Sequence, residues 1–194
     1  MADELQTLDV VEAPHGRPPR RRERVLAGAL VVVGLLGLAV PVVNAHLERQ
    51  EYASLVACVR QGQAAVSDAE TRLSAIRDYV APALFSVNSD RVRQGMLDLV
   101  SSSARSVRPA VSEALASCRA VPARRWHHGI ASARATYISY LAAHDAFYAV
   151  AENDGSAAFG RVVAPSPGLV RQRVLAAAPT TGARAAARAA LDAQ

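Results

Sequence analysis

Hydrophobic and polar positions alternate with distinct rhythms along this chain, and each rhythm predicts an element. From Val25 to Ala45 no position is charged: VLAGALVVVGLLGLAVPVVNA. As a helix with a rise of about 1.5 Å per residue, this stretch spans about 31 Å, close to the ~30 Å hydrocarbon core of a bilayer. From residue 46 to 86 the apolar positions Tyr52, Leu55, Val59, Gly62, Val66, Ala69, Leu73, Ile76 and Val80 recur at alternating steps of three and four. That spacing predicts one long helix with a heptad-like seam. Asn88-Ser89-Asp90 supplies a turn and an N-cap for a second helix, roughly Ser89 to Cys118. Its expected stripe is Val92, Met96, Leu99, Ser103, Val107, Val111, Leu115 and Cys118, with Pro109 expected to kink or split it.

A third helix is expected after Pro122, running to about Ala151 and ended by Asn153-Asp154-Gly155. Trp126, Ile130, Ala133, Tyr137, Tyr140, Leu141, His144, Phe147 and Tyr148 line one side of it. Residues 156–194 contain Pro165, Pro167 and Pro179 around one short helical piece, Leu169–Ala178, and end in an Ala/Arg stretch without large apolar anchors. That composition reads as a loosely packed fourth element followed by a mobile tail. The expected fold is all-α: one N-terminal transmembrane helix followed by an elongated antiparallel bundle of three, or three plus one, helices. Its parts are a disordered cytoplasmic tail (1–24), the span (25–45), the bundle (46–155) and the short helix with its flexible tail (156–194).

Charge sets the orientation. Arg17, Arg20, Arg21, Arg22 and Arg24 precede the span, and only Arg49 follows it closely. The positive-inside bias therefore places the N-terminus in the cytoplasm and residues 46–194 outside, as a single-pass protein of the plasma membrane. The rival is a cleavable signal peptide ending at Val43-Asn44-Ala45, which would make the product secreted. Gly28, Gly34 and Gly37 form no G-x-x-x-G pair, so this helix predicts no dimer seam, and the oligomeric state is left open. All 22 basic residues are Arg, a high-GC bacterial signature. The net charge of +5 is dispersed, with no basic run beyond Arg124–Arg125 after residue 45, so nucleic acid is not an expected partner.

The two cysteines are informative by position. Cys58 and Cys118 have their midpoint at residue 88, inside the predicted turn. In an antiparallel hairpin such residues lie side by side, where a disulfide forms in an oxidising compartment. The alternative is a pair of buried free thiols.

Candidate chemistry is sparse. Adjacent His127 and His128 point about 100° apart on a helix and share no metal ion, and Ile130, Ala131 and Ser132 offer no second ligand. Cap or surface roles are expected for both. Arg124, Arg125 and Trp126 are candidate contacts to lipid headgroups at the membrane-proximal end. Tyr137, Tyr140, His144 and Tyr148 are a candidate ligand pocket, set against the simpler reading that an Ala-rich bundle stores its large side chains there. His144-Asp145 has no nucleophile in a recognised context, and no phosphate-binding, dinucleotide or zinc motif occurs. No cofactor or metal is therefore expected. The leading expectation is a non-enzymatic, membrane-anchored module of a bacterial envelope whose partners are the bilayer and another envelope protein. The alternatives are a small-molecule-sensing ectodomain and a hydrolase using His144 or His127.

Overall fold

The computed structural model of the protein describes the backbone of residues 21–193 and the side chains of residues 40–193. Five α-helices and one 3-10 turn account for nearly all of it, with no strand among the described residues. The helices are α1 (Arg21–Ser86), α2 (Asp90–Ala120), α3 (His128–Asn153), α4 (Pro167–Ala176) and α5 (Thr181–Asp192); the 3-10 turn (Gly155–Phe159) follows α3. Most of the expected span, Val25–Ala39, lies outside the residues with described side chains. Among those that are described, no helix is long and apolar enough to cross a membrane. The described residues divide into two compact units after Val43, and the account below concerns the second, from Asn44 on.

The seam of α1 is buried as its spacing requires: Tyr52, Leu55, Val59, Val66, Ala69, Leu73 and Val80 all lie in the core. Gly62 belongs to the same seam for a steric reason. A Cβ there would stand 2.2 Å from the Tyr137 hydroxyl, which donates to the Val59 carbonyl at 2.9 Å. The missing side chain thus lets α3 approach α1 and brings the phenol to a backbone acceptor. Cys58 and Cys118 pair as a disulfide with Cα atoms 5.3 Å apart, where mirror positions about the turn put them.

α2 lies antiparallel to α3, tied by Arg108 to Asp145 and Glu152 (3.2 and 2.9 Å) and by Arg105 to Glu152 (3.2 Å). Arg134 of α3 donates to the carbonyls of Cys118 and Arg119, capping the last turn of α2 with a cation where the helix dipole favours one. Pro109 neither splits nor ends α2, which runs through it. The expected stripe is displaced at the N-terminal half: Val92 and Leu99 are exposed, while Val100 and Ala104 are buried. Small residues (Ser103, Ala104) let this half turn its apolar side by one position without opening a void.

The 3-10 turn sits against α2 so closely that a Cβ on Gly155 would meet the Leu97 carbonyl at 2.1 Å. Asp154 accepts from the Ser156 N–H at 2.9 Å and starts the turn. Ser166 caps α4 through the Leu169 N–H, and Thr180 caps α5 through the Ala183 N–H. The mobile tail expected for residues 180–194 is corrected: Thr181–Asp192 form α5, whose Ala187 and Leu191 are buried in the common core with Val170 and Val174. Alanine faces allow close helix approach, so large anchors are not needed.

Candidate functional site

The third helix places Tyr137, Tyr140, His144 and Tyr148 at steps of three and four, on one face. Their rings form a continuous column, with centroids 5.7 Å apart for Tyr137–Tyr140, 4.6 Å for Tyr140–His144 and 6.2 Å for His144–Tyr148. The four residues proposed from sequence as a pocket are therefore brought together. Their roles divide. Tyr137 is fully buried and fixed to Val59, so it is a packing residue. Tyr140, His144 and Tyr148 form one wall of a cleft of about 660 Å³. The opposite wall is α1 from Ser67 to Arg77, and the third side is the segment 160–167 that follows the 3-10 turn.

Two atoms in this wall are unusual. His144 Nδ1 and the Tyr148 hydroxyl are buried without a hydrogen-bond partner among the described residues. The residues are only 4% and 1% exposed. A buried polar group left unpaired costs about 1–3 kcal/mol, and native folds hold few of them. Glu70 Oε1 lies 3.8 Å from His144 Nδ1, close but beyond hydrogen-bond reach. Burial lowers the His144 pKa, so the ring is neutral at pH 7. Burial and the nearby Glu70 carboxylate push Tyr140 up to about 12, and the same two causes, with the neighbouring Tyr140, raise Tyr148 further. Both phenols stay protonated and can donate.

Three of the cleft's hydroxyls have local partners: Thr71 donates to Ser67 O, Ser74 to Thr71 O, and Ser166 accepts from Leu169 N. None of these three is joined to His144. Glu70, Arg77 and the segment 160–167 were not singled out from sequence. Glu70 and Arg77 fall off the α1 seam, where charge ordinarily signals a solvated face.

A second polar cluster lies at the Asn44 end. Glu51, 2% exposed, accepts from Arg124 Nη1 (2.5 Å) and from the Arg124 backbone N–H (3.3 Å). His127 Nδ1 donates to it at 2.8 Å, and His127 Nε2 faces Asn44 Oδ1 at 3.2 Å. Burial pushes the Glu51 carboxyl up, but the hydrogen bonds from His127 and Arg124 and the charge of both outweigh it and hold the group below the ordinary value.

This cluster corrects one expectation and qualifies another. His127 occupies the N-cap position of α3, but its ring turns inward and is not on the surface. Arg124 is paired with Glu51 through Nη1, with its side chain 35% exposed. Arg125 and Trp126 are exposed, and Trp126, 63% accessible, precedes α3 and is absent from its apolar side. Among the described residues no group of three or more His, Cys, Asp or Glu could hold a metal ion.

Comparison with known proteins finds no matching family model, no similar curated protein and no similar solved structure.

Proposed function

We propose that this chain is a membrane-anchored, extracytoplasmic helical module that binds a small polar molecule in the cleft between α1 and α3, without catalysing a reaction. The observation that carries the binding reading is the pair of buried, unpartnered polar atoms, His144 Nδ1 and Tyr148 Oη, in the wall of a cleft. A volume of about 660 Å³ lies in the usual ~300–1,000 Å³ range of ligand sites, where a few convergent polar groups set orientation among rings. No serine or threonine hydroxyl of the cleft is hydrogen-bonded to His144, which favours binding over hydrolysis, since a nucleophile needs a base within reach.

The anchor rests on the uncharged stretch Val25–Ala45 and its Arg-rich N-terminal flank. A disulfide-bonded domain fits the oxidising side of that membrane. Accessibility of Cys-free tag sites at either end to an impermeant reagent in intact cells tests the topology; labelling at the N-terminus would reverse it.

The binding reading is tested by a fragment screen on the full-length protein. Hits should shift the melting temperature of wild type but not of Tyr148→Phe/His144→Leu. That double variant, which removes both orphan atoms, should be as stable as wild type or more so. Hits that bind both proteins alike would move the site elsewhere.

The exposed Trp126 favours one further contact, with the membrane surface. It is the only tryptophan, so its emission is unambiguous. Transfer from micelles to anionic vesicles should blue-shift it, and brominated lipids should quench it; unchanged emission would remove this contact.

A further inference from the structure

The charges around the cleft define the kind of molecule it accepts. Glu70 and Arg77 stand seven residues apart on α1, on one face and about 10.5 Å apart along the axis. Both act on the Tyr148 phenol, Glu70 raising its pKa by more than Arg77 lowers it, so the hydroxyl lies between the two and nearer Glu70. Arg161 adds a second cation from the segment beyond the 3-10 turn. Arg77 donates one of its N–H groups to the Ala158 carbonyl at 3.1 Å, which fixes its guanidinium at this rim.

A simple anion in the cleft would meet Glu70, and a simple cation would meet two arginines. A molecule carrying both charges at opposite ends meets neither penalty. The two positions are about 10.5 Å apart along α1, the length of about three extended residues at ~3.3–3.6 Å each. A single amino acid, whose ammonium and carboxylate share one carbon, is much shorter than that separation.

Resting on the binding reading above, we propose that the cleft takes a short peptide with free ends, about three residues long, lying along α1. Its ammonium sits at Glu70, beside His144 Nδ1 and the Tyr140 ring, and its carboxylate meets Arg77 and Arg161, with the Tyr148 hydroxyl facing the peptide's backbone between the two ends. Neutral His144 accepts at Nδ1 in the tautomer that carries its proton on Nε2. The ring faces add cation–π attraction at the ammonium end. The bidentate geometry of guanidinium suits the carboxylate end.

The test is calorimetric titration of the full-length protein in detergent micelles. The probes are tripeptides with Ala, Leu or Phe at the centre, their N-acetylated and C-amidated forms, and free phenylalanine. At least one tripeptide should bind with a Kd below about 1 mM. Each cap should weaken it by about tenfold or more, equivalent to about 1.4 kcal/mol.

Glu70→Gln should weaken the free tripeptide but leave the N-acetylated form unchanged. Arg161→Gln, at an exposed position, should do the same with respect to the amide. Arg77→Gln also breaks the bond to Ala158, so Arg161 serves as the folding-safe counterpart.

Capped peptides that bind as well as free ones overturn the charge assignment. Phenylalanine binding as tightly as a tripeptide overturns the spacing argument. No tripeptide binding with a Kd below about 1 mM overturns the proposal altogether. In each of these cases fragment hits sensitive to Tyr148→Phe/His144→Leu would show that the cleft binds another class of molecule. Absence of such hits would mean that the binding reading itself has failed.

Discussion

Replacing Gly62 by Ala tests the close approach of α3 to α1. In an exposed helix this change stabilises by about 1 kcal/mol, because Gly loses more backbone freedom on folding. Here the new Cβ would lie 2.2 Å from the Tyr137 hydroxyl, 3.0 Å from its Cζ and 3.1 Å from Leu141 Cδ2. Tyr137 has nowhere to retreat: its hydroxyl is bonded to Val59 O, and its ring is stacked on Tyr140. Overpacking of this kind costs about 1–3 kcal/mol. Pulling a buried hydroxyl off its acceptor costs about 1–3 more. Against the ~1 kcal/mol gained in propensity, a net loss of about 3 kcal/mol is expected.

Urea unfolding of residues 44–194, followed by far-UV circular dichroism with the disulfide intact, measures it directly. In a Tyr137→Phe background the nearest atom is gone, so the same Gly62→Ala change should cost about 1 kcal/mol or less. Gly62→Ala raising the midpoint of the otherwise wild-type protein would refute the close approach of α3 to α1.

Three more predictions follow from other parts of the bundle. The Glu51 carboxyl is held below its ordinary value of 4.5, so its contribution is complete above that pH and is lost as pH falls through the depressed value. Glu51→Gln should cost about 3 kcal/mol at pH 7 and flatten the acid limb of stability against pH; an unchanged limb would mean that the cluster is not formed. Cys58 and Cys118 should resist alkylation until reductant is added, and replacing both by Ala should cost about 4 kcal/mol on the chain-entropy model for a separation of 60 residues. Ready labelling of the untreated protein would contradict this. Removing residues 181–194 should lower stability by about 2–3 kcal/mol, chiefly through Leu191, and an unchanged melting temperature would show that α5 does not pack.

What could be read in the sequence was what depends on local period and symmetry. The α1 seam, the ring column of α3 and the pairing of Cys58 with Cys118 all follow from spacing alone. What could not be read depends on partners distant in the chain. Glu51 looks like any surface acid until Arg124 and His127, more than seventy residues away, surround it. Glu70 and Arg77 gained meaning only when the 3-10 turn carried residues 160–167 across them. The α2 register failed at Leu99 because Ser and Ala dilute the pattern there, making Val100 an equally good core position. α5 had a faint signal in Thr180 and in the Ala187–Leu191 step of four, outweighed by its lack of bulky residues.

Three of the contacts described above bind α1 to its neighbours between residues 44 and 62: the Glu51 cluster with His127 and Asn44, the disulfide at Cys58, and the Tyr137 phenol on Val59 beside Gly62. Together they lock the axial register of α1 against α2 and α3 like pins through a laminated beam. A slip of one residue, about 1.5 Å, would break every one of them. Segment 160–166 lies beyond all three, and its displacement would break none. On the proposed binding reading, movement on filling the cleft is expected in that segment, and a probe fixed at Val163, exposed there, is where it should register.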